Sequence, residues 1–282
     1  VLVCSTGLIG TGDEVFRGKV LDGVEKGVAA LSADGGEAAS LAIMTTDSRP
    51  KRAVVSQDGW TIGGMAKGAG MLAPGLATML VVITTDADLD AAAADAALRE
   101  ATRVSFDRLD SDGCMSTNDQ VTLLASGASG IRPEPAAFAL ALTELCLDLA
   151  AQLQGDAEGA SHDITIEVVG AENEQDAVTV GRSIARNNLF KAAIFGNDPN
   201  WGRVLAAIGT TDAAFDPYDV DVSFNGVRVC TAGGPDRPRE EVDLTPRATH
   251  ILVDLRVGQA AATILTNDLT HDYVHENSAY SS

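Results

Sequence analysis

The chain has 282 residues, 45% of them apolar, and a formal charge of −20 from 40 acidic and 20 basic side chains. That length can bury one large core or two, while a surface this acidic repels phosphate backbones and anionic lipid, which argues against nucleic acid and membrane partners. The opening VLVCSTGLIG lacks the basic leading region of a signal peptide, no apolar run approaches transmembrane length, and the four cysteines (Cys4, Cys114, Cys146, Cys230) have no CxxC spacing. They are expected to be reduced, small buried residues of a cytoplasmic protein rather than zinc ligands or a disulfide frame.

In chain order, residues 1–4 read as a short strand ending at Ser5-Thr6-Gly7. Thr11 and Glu14 have the spacing of a capping box, opening a helix whose Val20, Val24, Val28 and Leu31 form one apolar stripe. Asp34-Gly35-Gly36 ends it, and a shorter helix over 37–44 runs into Thr45-Thr46-Asp47. Strands over 53–56 and 60–65, separated by Gln57-Asp58-Gly59, suggest a hairpin. A strand over 78–83 follows, then a helix over 87–106 capped by Asp86. Residues 120–125 read as a strand, and Pro135 opens a long helix over 134–154. Beyond Gly155 come a strand (163–169), a helix (175–187), a strand (191–195) and a short helix (203–208). Strands over 219–224, 227–230, 251–257 and 261–265 close the chain. Many neighbouring strands are hairpin-like, so an α+β layered architecture is favoured over a doubly wound parallel fold. GDAEGAS, residues 155–161, marks the boundary between a first lobe (1–155) and a second, α/β lobe (156–282).

The most informative stretch is 63–86, GGMAKGAGMLAPGLATMLVVITTD. It holds one lysine, Lys67, among small residues, then a soft segment leading to Thr78 and an apolar run, 79–83, of strand length. Thr78 has two readings. One is strand propensity, since β-branched residues suit strands. The other is an N-terminal nucleophile: if the Ala77–Thr78 bond is cut, Thr78 gains an α-amine, of reference pKa about 7.7–8.0, that can act as base for its own hydroxyl.

The segments CSTGLIG, MTTD, GGMAKGAGMLAP, ATML, ITTDA, STND, FGNDPNWGR and the terminal ENSAYSS occur together and in order. In this the chain closely resembles, from end to end, the ornithine acetyltransferase family, also called glutamate N-acetyltransferase or arginine-biosynthesis bifunctional protein. The resemblance implies a layered αββα-type sandwich of the N-terminal-nucleophile kind and self-cleavage between Ala77 and Thr78. It further implies acetyl transfer from N2-acetylornithine to glutamate through acetyl-Thr78, without a cofactor, in cyclic arginine biosynthesis. Some members also use acetyl-CoA, and the cleaved pairs assemble as an α2β2 tetramer. By the same resemblance, the Thr6 hydroxyl and Gly7 amide form an oxyanion hole, and Thr45, Lys67, Thr78, Glu158, Asn277 and Ser282 contact the substrate. Members carry a segment upstream of CSTG, so this chain is expected to be part of a longer protein. Taken alone, Thr6-Gly7 reads as an ordinary turn, Glu158 as a solvated charge and the tail as a mobile end. A self-processing peptidase or amidase, or an inactive fragment, remains the alternative.

Other motifs lead elsewhere. Asp107, Asp110, Asp112 and Asp119 invite a calcium reading, but their spacing fails the EF-hand pattern and a structural loop is expected; where the family often has DGDTSTND, this chain has DGCMSTND. The glycines of 7–12 and 68–70 fit no nucleotide-binding pattern, and His162, His250, His271 and His275 have no metal spacing.

Overall fold

The structure, a computed structural model, describes residues 2–7, 10–73, 79–116 and 118–279. Two helices, α1 (Glu14–Ala29) and α2 (Gly36–Ala42), precede the first sheet, whose strand order is β1-β2-β3-β4. β1 (Lys51–Gln57) and β2 (Trp60–Lys67) form the hairpin that Asp58-Gly59 predicts. Both turn residues have positive φ, the geometry whose twist matches the strands. β3 (Leu80–Thr85) pairs antiparallel with β2 and parallel with β4 (Gln120–Ala125), so it is a central strand, with Leu80, Val81 and Ile83 buried. A parallel step needs a crossover, and α3 (Ala91–Val104) supplies it. α4 (Pro135–Gln154) lies on β1 and β2 and against α3. Its start is fixed by the Glu134 carboxylate, which accepts from the Ala136 N–H at 2.8 Å. Trp60, Ile62, Ile83, Phe138, Leu142 and Leu145 form the centre of this core.

The second sheet has the order β10-β5-β9-β6-β7-β8. Its members are β5 (Asp163–Ala171), β6 (Asp221–Phe224), β7 (Val227–Thr231), β8 (Gly234–Pro235), β9 (Ala248–Asp254) and β10 (Ala260–Asn267). α5 (Glu174–Ala185) packs on β5 and β10, and α6 (Asn188–Phe195) and α7 (Trp201–Ile208) pack beside it. Ile166, Val168, Ile184, Phe190 and Ile264 belong to this second core. The chain then enters α8 (His271–Ala279). The α+β layering expected from the sequence is present: α3 and α4 cover one sheet, α5 the other.

Several local expectations are corrected. Residues 2–4 are exposed and form no strand. α1 is capped by Asp13, whose carboxylate accepts from the Phe16 N–H at 2.8 Å, rather than by Thr11. None of its residues is buried, so the Val20–Val24–Val28 stripe lies open. α3 starts at an Asp90 cap because Asp86 is already spent on the Thr61 N–H at 2.7 Å. Residues 191–195 are helix, not strand: Asn187 caps α6, and Phe190, Ala193 and Ile194 bury one face at helical spacing. A short apolar run cannot by itself separate the two periods. α4 is, contrary to expectation, long and apolar enough to cross a membrane. Its Phe138, Leu142, Leu145 and Leu149 are instead core residues of the first layer. Cys4 and Cys114 are exposed, whereas Cys146 and Cys230 are buried as expected.

Candidate functional site

Lys67 is the last residue of β2 and pairs in register with Leu80, the first of β3, which in turn pairs with Gln120, the first of β4. One end of the first sheet therefore gathers three strand termini, and the expected nucleophile is two residues before Leu80 in the chain. Ala77, Thr78 and Ser282 lie outside the described residues.

Lys67 is 2% exposed. Burial pushes its ammonium pKa below the ordinary value, against the attraction of Asp47, Glu158 and Asp119. Asp47 is the organiser. It accepts from the Gly68 N–H (2.7 Å), the Lys51 ammonium (2.6 Å) and the Thr45 N–H (3.1 Å). Burial pushes its carboxyl up, but these bonds outweigh burial and hold it below the usual carboxylate range. Lys51 is fully buried and also reaches Asp156 at 2.6 Å, which fastens the turn after α4 to β1. Truncating one partner of such a buried set costs about 3–5 kcal/mol, because the other is left charged and unpaired.

Glu158 follows in that turn, with its N–H donated to the Ala69 carbonyl at 2.9 Å. A cavity of about 480 Å³ has Glu158, Thr46 and Ser48 in its wall together with Thr270, His271 and Glu276 of the tail. Gly159 has φ +61°, and a Cβ there would collide with the Tyr273 amide, so glycine is what lets the first turn of α8 approach. Thr270 ties the two, donating to the Gly159 carbonyl (2.5 Å) and accepting from the Tyr273 N–H (2.9 Å). Asp268 completes the clasp by accepting from the N–H groups of Ser161 and His162, both at 2.9 Å. Ser161, His162 and Asp268 have the residue types of a hydrolytic triad. They do not act as one: His162 is buried, with Nδ1 on Asp268 and Nε2 on the Leu244 carbonyl.

The loop 110–119 holds both flanks of the segment 74–78. On one side the Ser111 N–H donates to the Leu72 carbonyl (2.7 Å) and Asp112 accepts from the Met71 N–H (2.8 Å). On the other, Asp119 Oδ1 accepts from the Met79 N–H (2.8 Å), and the Gln120 N–H donates to the Met79 carbonyl (3.1 Å). Burial raises the Asp119 carboxyl to about 6, against the Met79 bond and the Lys67 charge. Asn118 donates from Nδ2 to the Ser5 carbonyl at 3.0 Å, next to Thr6 and Gly7. Gly7 has φ +147°, a backbone conformation that a side chain would strain, and Thr6 is half-buried.

The expected site residues thus divide. Lys67, Glu158 and, through Asp47, Thr45 converge. Thr6 and Gly7 are connected to that group only indirectly, through the bond of Asn118, the neighbour of Asp119, to the Ser5 carbonyl. Asn277 is exposed, with its side-chain amide on the Tyr273 carbonyl of its own helix. Asp47, Lys51, Asp119 and Asp156 were not among the expected residues. Asp47 and Asp119 stand inside MTTD and STND and were within reach; nothing local marks Lys51 and Asp156 as partners.

The whole chain, residues 1–282, matches the family model described as ArgJ family. The chain belongs to the ArgJ family. It is 65% identical over 282 residues to the arginine biosynthesis bifunctional protein ArgJ of Streptomyces coelicolor, covering all of this chain and 73% of that one. The ArgJ proteins of Thermobifida fusca and Mycobacterium leprae are 59% and 56% identical, with 73% and 70% of their lengths covered and all of this chain. Among solved structures, the arginine biosynthesis bifunctional protein argJ of Bacillus halodurans superposes with a TM-score of 0.66 at 35% identity, covering 71% of this chain and 98% of that chain.

Proposed function

We infer that this chain is an acetyltransferase of arginine biosynthesis, a glutamate N-acetyltransferase acting on N2-acetylornithine and glutamate. The observation that carries this is the ArgJ family match over every residue of the chain. The buried Lys67 and the acidic Glu158 support it, since an amino-acid substrate presents a carboxylate and, in ornithine, a side-chain ammonium.

The proposal extends to mechanism. In the precursor the Thr78 hydroxyl attacks the Ala77 carbonyl, the amide becomes an ester, and water hydrolyses it. This leaves a carboxylate on Ala77 and a free amine on Thr78. In the mature enzyme that amine takes the hydroxyl proton as Oγ1 attacks the acetyl carbonyl of acetylornithine. The Thr6 hydroxyl and Gly7 amide stabilise the tetrahedral oxyanion. The proton passes to the departing α-amine of ornithine. Glutamate's α-amine then attacks acetyl-Thr78 by the reverse sequence, and no cofactor enters. Thr45, Lys67, Glu158, Asn277 and Ser282 hold the amino-acid portion. The reading includes a cytoplasmic α2β2 assembly and leaves acetyl-CoA as a second donor to be tried.

N-terminal sequencing of purified protein tests this together with turnover. The expected results are a mature chain beginning at Thr78, an uncut Thr78→Ala variant, and consumption of acetylornithine that rises with glutamate. A cut elsewhere, or turnover indifferent to glutamate, would point to a peptidase or amidase and overturn the reading.

A further inference from the structure

Two adjacent side chains just before β4 bind different parts of the chain. Asn118 uses its amide as a donor, to the carbonyl of Ser5 at 3.0 Å. Asp119 uses a carboxylate oxygen as an acceptor, for the N–H of Met79 at 2.8 Å. Met79 is held a second time through its carbonyl by the Gln120 N–H at 3.1 Å, and the β3–β4 register begins immediately afterwards with Leu80 opposite Gln120. Residues 5 and 79 are far apart in the chain. Here they are both fixed to residues 118–120, one strand terminus of a packed sheet.

We propose that Asn118 and Asp119 are positioning residues for acyl transfer: Asn118 fixes the turn that carries Thr6 and Gly7, and Asp119 fixes the residue bonded to Thr78. Together they set the spacing between the oxyanion donors and the nucleophile. This rests on the roles given above to Thr6, Gly7 and Thr78. The residue types suit the task. A carbonyl needs a donor, which Asn has and Asp lacks; an amide N–H needs an acceptor, which both have. Their place suits it as well: they are the last two residues of the loop before Gln120, where the β3–β4 ladder begins, so the ladder limits how far they can move. The demand for precision comes from the reaction: an oxyanion donor works only within about 2.7–3.1 Å of where the charge develops, and a misplacement of about 1 Å can cost about 10²-fold in rate. The Asp119 Oδ2 atom is buried and has no hydrogen-bond partner among the described residues, so the Met79 N–H is the bond that holds this carboxylate in place.

The test uses the full chain with four substitutions. Asn118→Asp keeps the shape and removes the donor; Asn118→Ala removes the side chain. Asp119→Ala removes the acceptor, and Asp119→Asn restores it without the charge. For each, mass spectrometry gives the fraction cut before Thr78, and kcat and KM for acetylornithine with glutamate are expressed per cut chain. The expected result is a fall in kcat of at least 10-fold for Asn118→Asp, Asn118→Ala and Asp119→Ala, with KM within about 3-fold of the parent. Asp119→Asn should recover at least 10-fold of what Asp119→Ala loses. A purely structural role would instead lower the melting temperature and leave the kcat of the folded fraction intact, which would overturn the proposal. So would an unchanged kcat in the Asn118 variants, a KM effect alone, or an Asp119→Asn variant as impaired as Asp119→Ala. If Asp119→Ala does not fold, Asn118→Asp against the parent decides, because Asn118 is exposed. A parent protein that is neither cut at Thr78 nor active sinks the reading of Thr78 itself; a cut, active parent with unimpaired Asn118 variants sinks only this inference.

Discussion

A single methyl group at Gly70 tests the role of Glu158 without altering the carboxylate. A Cβ on Gly70 would stand 2.5 Å from Glu158 Oε2, 2.8 Å from Cδ and 2.9 Å from Oε1. Gly70 is not among the glycines of positive φ, so its φ does not strain an alanine, and the three nearest atoms the methyl would meet all belong to the Glu158 carboxylate. To reach ordinary contact the carboxylate must retreat by about 1 Å, and a flexible glutamate can do so. A hydrogen bond stretched by that much is lost. If Glu158 holds the substrate's ammonium, the loss is that of a charge-assisted bond, about 1.5–3 kcal/mol, and KM for acetylornithine rises roughly 10- to 150-fold. Because the contact is the same in ground and transition states, kcat changes little. Steady-state kinetics of Gly70→Ala, Glu158→Ala and the double variant form the assay. In the Glu158→Ala background the added methyl meets no carboxylate, so its effect should disappear. An unchanged KM in folded Gly70→Ala, or a Gly70→Ala penalty of full size in the double variant, refutes the assignment.

Asp119 has a carboxyl raised to about 6 by burial, against about 4 in an unfolded chain. The folded state therefore holds its proton more tightly, and the stability this contributes is full below about pH 4 and is lost as pH rises through about 6. Urea titrations at pH 4 and pH 7.5 should show Asp119→Asn gaining stability on the parent at the higher pH; equal differences at both would contradict the burial. Of the four thiols, Cys4 and Cys114 should react with a thiol reagent in the native state, Cys114 more slowly because burial and Asp112 raise its pKa, while Cys146, pushed up to about 12, and buried Cys230 should react only on unfolding. Ending the chain at Glu276 should raise KM for acetylornithine and the ratio of hydrolysis to transfer while self-cleavage persists, since the removed tail continues directly from Glu276, which lines the Glu158 cavity; unaltered transfer by the shortened chain would remove the tail from the site.

What the sequence makes legible follows the range of the interaction. The Asp58-Gly59 turn, the β4 boundaries and the Pro135 start of α4 are decided by neighbouring residues, and they read correctly. The cap of α3 does not, because Asp86 and Asp90 are equally good caps locally and the choice falls to Thr61, on another strand. The stripe on α1 has helical spacing but no described partner surface, so periodicity alone overstated its burial. In the site, Thr45, Lys67 and Glu158 were identified by resemblance. That Lys67 is buried where Asp47, Glu158 and Asp119 all attract it, and that Lys51 and Asp156 neutralise one another across 105 positions, are facts of tertiary packing with no local signature.

The hairpin-to-sheet connection has a consequence for the life of the protein after processing. β2 and β3 pair over Ile62–Lys67 against Leu80–Thr85, and the bond expected to break lies between them in the chain. Before the cut, that pairing joins two parts of one molecule and is favoured by an effective concentration in the millimolar range. After it, the same contacts must hold two separate polypeptides, and their reunion obeys mass action. The mature enzyme would then persist because it opens slowly, as a product that its own precursor could fold and it could not readily fold again. Denatured and diluted to submicromolar concentration, the uncut Thr78→Ala protein should regain structure while the cut pair stays apart; equal recovery of both would show that the two pieces find each other without the link.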